Sequence, residues 1–142
     1  GLTTESIEGL CDLIEEGWGR EDEAFRRLVI NLAWPGATDQ MISAFSRLQL
    51  ASSDGKTAAQ LIRAIQNTTV EDDLPNVSVP TILLNCTGDQ AVPLSEGEFA
   101  SRRIPGARLV KLNTDDHGPL PTDPEWERYL AEIRAFVRTH AD

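Results

Sequence analysis

The stretch "VPTILLNCTGDQAVP", Val79–Pro93, decides how this chain folds. Val79 to Cys86 is an apolar run of strand length, bounded by Pro80 and Gly88. Such a run suits a strand buried on both faces, as in a parallel sheet. Gly88 breaks it, Asp89 follows at once, and Pro93 closes the segment. An aspartate at this place is by itself a turn former. It is also where open parallel sheets collect functional groups, just beyond the carboxyl end of a strand.

Downstream, "SEGEFASRRI" reads as a helix, with Ser95 and Glu98 spaced as a capping box. "PGARLVKL" reads as a turn and a second strand, Arg108–Leu112. The segment "DPEWERYLAEIRAFVRTH" is a final helix. Asp123 is placed to cap it, Pro124 suits its first position, and Trp126, Tyr129, Leu130, Ile133, Phe136 and Val137 form its apolar stripe. Strand, helix, strand, helix is the order of parallel α/β architecture. His117, in "NTDDHGPLP", then falls just past the second strand, on the loop beside that of Asp89. An acid there can orient the imidazole and stabilise the imidazolium.

Upstream the pattern is helical. Apolar residues recur at helical spacing in four stretches: Ile7, Leu10, Cys11 and Ile14; Ala24, Phe25, Leu28, Val29 and Leu32; Met41, Ile42, Phe45 and Leu48; Ala58, Leu61, Ile62 and Ile65. "GWGRED", "WPGATD" and "SSDG" separate them. These stripes are expected to pack as core. The expected division is a helical region over 1–75 and a strand-helix-strand-helix part over 76–142, together one partial domain. Two strands are too few for a sheet with two buried faces, so a neighbour is expected: a second copy or the rest of a larger domain.

The 142 residues carry a formal net charge of −10, which disfavours binding of nucleic acid or an anionic membrane. No apolar run approaches the roughly 20 residues of a membrane span, and "GLTTESIEGL" has no signal-peptide pattern. Two cysteines, Cys11 and Cys86, without a CxxC, fit a reduced, cytoplasmic setting and buried apolar roles. No cofactor motif is present, neither G-x-G-x-x-G nor a P-loop. Asp89, Asp115, Asp116 and His117 cluster in two loops but have no metal-ligand spacing, so no metal is expected. Asp115 and Asp116 read as solvated loop acids, and His140 as exposed.

The order "VPTILLNCTGDQAVP", "IPGARLVKL", "DDHGPL" and a terminal amphipathic helix resembles the end of an α/β-hydrolase-fold domain. The D-x-x-V-P acid position matches Asp89, and the histidine position matches His117, 28 residues on. "EEGWGREDEAFRRLVINLAWPGAT" and "VEDDLPNVSVPT" resemble a subgroup joined to helix-turn-helix transcriptional regulators or nucleotide cyclases. The resemblance implies an α/β fold in which four cap-like helical segments precede the last two parallel strands. It also implies that a cap tryptophan, Trp18 or Trp34, can face the substrate; packing is the plainer role of both.

The nucleophile elbow G-x-S-x-G of that family is absent from these residues. The resemblance therefore implies a C-terminal fragment with the acid and histidine of a Ser-Asp-His triad, its serine upstream of Gly1, inactive alone. Three functions are open: part of a serine hydrolase acting on ester-like or other small substrates; a non-catalytic ligand sensor in a regulatory or signalling protein; a structural or oligomerisation module. The expected partners are a small-molecule substrate or ligand, and a second copy or the missing N-terminal part.

Overall fold

The computed structural model describes residues 4–20 and 24–140; Glu21 and Asp22 of the "GWGRED" breaker lie outside them. Four helices come first: α1 (Thr4–Gly17), α2 (Ala24–Ala33), α3 (Asp39–Ser52) and α4 (Gly55–Asn67). A single 3-10 turn, Leu74–Asn76, leads to β1 (Ile82–Cys86), α5 (Leu94–Arg103), β2 (Arg108–Leu112) and α6 (Trp126–Thr139). The chain divides into two units, one of residues 1–32 and 37–69, the other of residues 33–36 and 70–142. Among the described residues no helix is long and apolar enough to cross a membrane.

In the helical unit α1 packs on α4. Ile7, Cys11, Ile14 and Trp18 meet Ala58 and Ala59. Small residues let the backbones approach: a Cβ on Gly55 would lie 2.9 Å from the carbonyl oxygens of Ile14 and Glu15. Asp54 caps α4 by accepting the Thr57 N–H at 2.7 Å, and Thr38 caps α3 by accepting that of Met41. Arg63 of α4 bonds Glu8, Asp12 and Glu15 along α1, an exposed network that adds little stability by itself.

The apolar stripes find the helices but not every buried face. Leu28, Leu32, Leu48, Leu61 and Ile65 are all more than half exposed. The buried positions of α2 and α3 are Arg26, Ile30, Ile42 and Ser46. Arg26 is 2% exposed. Its Nε donates to Ser46 Oγ at 2.6 Å, and its Nη1 to the carbonyls of Trp18 and Arg20. A polar side chain therefore occupies the centre that periodicity assigns to leucines. It is tolerated because its donors find buried acceptors.

In the second unit β1 and β2 pair in parallel, Ile82 opposite Arg108 through Cys86 opposite Leu112. The first strand is shorter than the apolar run, since Val79–Thr81 lie outside the ladder. Its residues are half-buried up to Cys86, and the core is Cys86, Val110 and Leu112 with Tyr129 against it. The crossover helix α5 fits because Gly97 leaves room for Asn85; a Cβ there would sit 1.9 Å from Asn85 Oδ1. The expected capping box does not form. Pro93 takes the N-cap position, and Glu98 instead bonds Lys111 of β2 at 2.5 Å. Asp123 does not cap α6: it forms a turn ahead of it, its Oδ1 accepting the Glu125 N–H and its carbonyl that of Trp126, while Glu125 takes the N-cap position and Pro124 lies outside the helix.

Arg26→Ala removes the donor that Arg26 gives to buried Ser46 Oγ and to the Trp18 and Arg20 carbonyls. It is expected to cost roughly 3 kcal/mol in urea unfolding. A loss below about 0.5 kcal/mol would show that Arg26 is not a structural tie.

Candidate active site

Parallel pairing continues past the ends of both strands. The Thr87 N–H donates to the Leu112 carbonyl at 2.8 Å and the Gly88 N–H to that of Thr114 at 3.0 Å. This stitches the two following loops together. Gly88 leaves room for Asp115 here: an added Cβ would fall 2.8 Å from Asp115 Cγ and 3.1 Å from its Cα, so the Asp115 side chain would have to move.

Asp89 divides its carboxylate between two tasks. Oδ1 accepts the N–H groups of Ala91 and Val92, at 2.8 and 3.0 Å, which folds its own loop into a turn. Oδ2 lies 2.8 Å from His117 Nδ1. Asp89 is 6% exposed, so nearly all of its surface goes to these contacts. Asn85 Nδ2 ties the far side of the turn through the Val92 carbonyl. The turn reading and the acid reading of Asp89 therefore describe one residue: the turn holds the free oxygen in place.

His117 stands on the loop between β2 and α6. With Nδ1 on the carboxylate, the side chain is still 39% exposed, so the ring reaches solvent. This is the arrangement that lets an imidazole take and return a proton while its tautomer stays fixed. Three ties hold its loop. Thr114 Oγ1 is hydrogen-bonded to Asp123 Oδ2. The His117 N–H donates to the Ala33 carbonyl at 2.6 Å. The Gly36 N–H donates to Asp116 Oδ1 at 2.8 Å.

Asp116 is not a solvated loop acid. It is 3% exposed. Burial raises its pKa above its ordinary value; the Gly36 N–H opposes that, and Asp123 and Asp115 add to it. Sequence reading missed it because adjacent acids in a loop look alike; the one available signal was Gly36, whose Cβ would come within 2.8 Å of Asp116 Oδ2. Asp115 is exposed, as expected.

The two tryptophans part company. Trp34 meets His117 edge to face, ring centroids 6.0 Å apart at 69°. Trp18 belongs to the core of the helical unit, 8% exposed, with Nε1 donating to the Ser53 carbonyl at 2.9 Å. Cys86 is 3% exposed, and burial pushes its thiol up to about 11, which opposes a thiolate nucleophile. Cys11 is likewise buried, its thiol raised by burial. His140 is exposed and rests on Phe136. Among the described residues no three His, Cys, Asp or Glu side chains converge on a metal-sized position.

Two outcomes follow from this geometry. Nitrogen-15 NMR of His117 should show the Nδ1–H tautomer, and Asp89→Ala should remove that preference; an Nε2–H tautomer in the unaltered chain contradicts the pair. The native state binds a proton at Asp116 more readily than the unfolded chain. Its contribution to stability is thus present below about pH 4 and lost as pH rises through the elevated value. Asp116→Asn keeps an acceptor for Gly36 and carries no charge. Thermal unfolding should find it more stable than the parent at pH 7, with the difference vanishing near pH 3; equal stability at pH 7 counts against a buried charged carboxylate.

No family model matches the chain. A RutD carbamate hydrolase homologue of Pseudomonas savastanoi pv. phaseolicola is 35% identical over 63 residues, 44% of this chain and 24% of that protein. The esterase EaEST of Exiguobacterium antarcticum superposes on 97% of the chain with a TM-score of 0.81 at 17% identity. The esterase RhEst1 of Rhodococcus sp. ECU1013 gives 0.66 over 88% at 23% identity, and a bromoperoxidase of Bacillus anthracis 0.68 over 97% at 20%. The chain spans about half of those structures, 49%, 46% and 50% of their lengths. Its two parallel strands, with helices in this order, are accordingly the C-terminal part of an α/β-hydrolase fold.

Proposed function

We propose that this chain supplies the acid and the general base of a Ser-Asp-His hydrolase, with Asp89 as the acid and His117 as the base. The observation that carries the reading is the 2.8 Å contact between Asp89 Oδ2 and His117 Nδ1, made while Oδ1 is held by two backbone N–H groups. His117 Nε2 takes the proton of an attacking hydroxyl and returns it to the leaving group, and Asp89 stabilises the imidazolium between the two steps.

The attacking serine lies outside these 142 residues, which contain no G-x-S-x-G. The chain alone is then inactive as a covalent catalyst. Its partner is the half-domain that carries the elbow, added at the sheet. In support, β1 and β2 pair only with each other among the described residues, and two strands rarely stand alone. The helical unit takes the part of the cap, and the substrate is an ester or a similar small acyl compound, by analogy with the esterases that share the fold.

Hydrolysis of a short p-nitrophenyl ester tests this. The isolated chain should run at the buffer rate. The longer reading frame that includes the elbow should hydrolyse the ester, and His117→Ala should lower kcat on the order of a thousandfold or more. Full activity in that variant removes His117 from the mechanism.

A further inference from the structure

The segment Ala33–Gly36 ends α2 yet belongs with the strand unit. Two hydrogen bonds pin it there, one on each side of Trp34. The His117 N–H donates to the Ala33 carbonyl at 2.6 Å. The Gly36 N–H donates to Asp116 Oδ1 at 2.8 Å. The two residues that hold the segment are thus the histidine and the acid just before it. The result is the edge-to-face contact of Trp34 with the His117 ring.

We propose that Asp116 is a positioning residue, which through Gly36 keeps Trp34 as an apolar wall against the His117 ring. The proposal rests on the reading of His117 as general base. It adds that a group brought to the His117 ring meets an indole on one side, which selects an apolar substituent on the substrate at that point. Four features of the clamp agree. Asp116 is buried at 3% although it carries a carboxylate, and a buried acceptor of this kind needs a donor. Thr114 Oγ1, itself bonded to Asp123, accepts the Asp116 N–H at 3.4 Å and steadies the acid from behind. Gly36 leaves the space the carboxylate fills, since a Cβ would approach Asp116 Oδ2 to 2.8 Å and Oδ1 to 3.2 Å. Pro35 between Trp34 and Gly36 limits the backbone freedom of the segment.

Proton NMR of the chain reads the clamp without any catalysis. The His117 ring protons should carry a ring-current displacement from Trp34 that Trp34→Ala abolishes. Asp116→Ala should abolish it to the same extent, whereas Asp116→Asn, which retains an acceptor for the Gly36 N–H, should keep it. Gly36→Ala opens the clamp from the other side, leaves Asp116 in place, and should match Asp116→Ala; it carries the test if Asp116→Ala does not fold. A displacement that survives both Asp116→Ala and Gly36→Ala, or that Asp116→Asn loses entirely, overturns the proposal. The tautomer of His117, read on the same samples, separates the two claims. The Nδ1–H form should persist in every clamp variant. Its absence from the unaltered chain sinks the acid–base reading, whatever the displacement shows.

Discussion

Everything at the site depends on the parallel pairing of β1 with β2 and on its continuation by two hydrogen bonds into the loops beyond. Parallel strands end on the same side of a sheet, so the residues that follow them are neighbours by construction. The bonds from Thr87 to Leu112 and from Gly88 to Thr114 turn that neighbourhood into a fixed distance. Gly88 keeps these loops close, for a side chain there would have to displace that of Asp115. Asp89 then needs only one bond to the histidine, because its other oxygen is held by its own turn. The acid is thus oriented by its own turn, independently of the imidazole.

The strand unit was legible in the sequence because its signals are local and agree with one another. An apolar run, a glycine, an acid and a proline specify β1 and its turn, and a second run with a histidine after it specifies the partner. The helices were legible for the same reason, from apolar spacing. Their buried faces were not. Periodicity places leucines inwards, but Leu28 and Leu32 of α2 are exposed and Arg26 is central. An arginine enters a core only where acceptors converge on it, and those acceptors, Ser46 Oγ and two carbonyls, come from elsewhere in the fold. Single-sequence reading has no access to that convergence. The capping box of α5 failed for a related reason: Glu98 has a better partner in Lys111, on a strand 13 residues away.

The site was legible in its pair and not in its surroundings. Asp89 and His117 announce themselves by position after two strands. Asp116 does not, because a buried and an exposed aspartate in "TDDHG" have the same letters, and its partner is 80 residues distant. Trp34 and Trp18 were equal candidates in sequence. Burial separates them: one fills the helical core through its bond to Ser53, the other stands against the imidazole. The chain spans about half the length of the esterases that share its fold.

The most direct test of the central claim is covalent labelling. A fluorophosphonate attacks only a serine activated by a neighbouring base, so it reports the assembled triad and not a single residue. In the longer reading frame it should modify one serine that precedes Gly1, and His117→Ala should abolish the labelling while the protein stays folded. Labelling that is unchanged in His117→Ala, or that maps to a serine within these 142 residues, would contradict the assignment of Asp89 and His117 as the acid and base of a serine hydrolase.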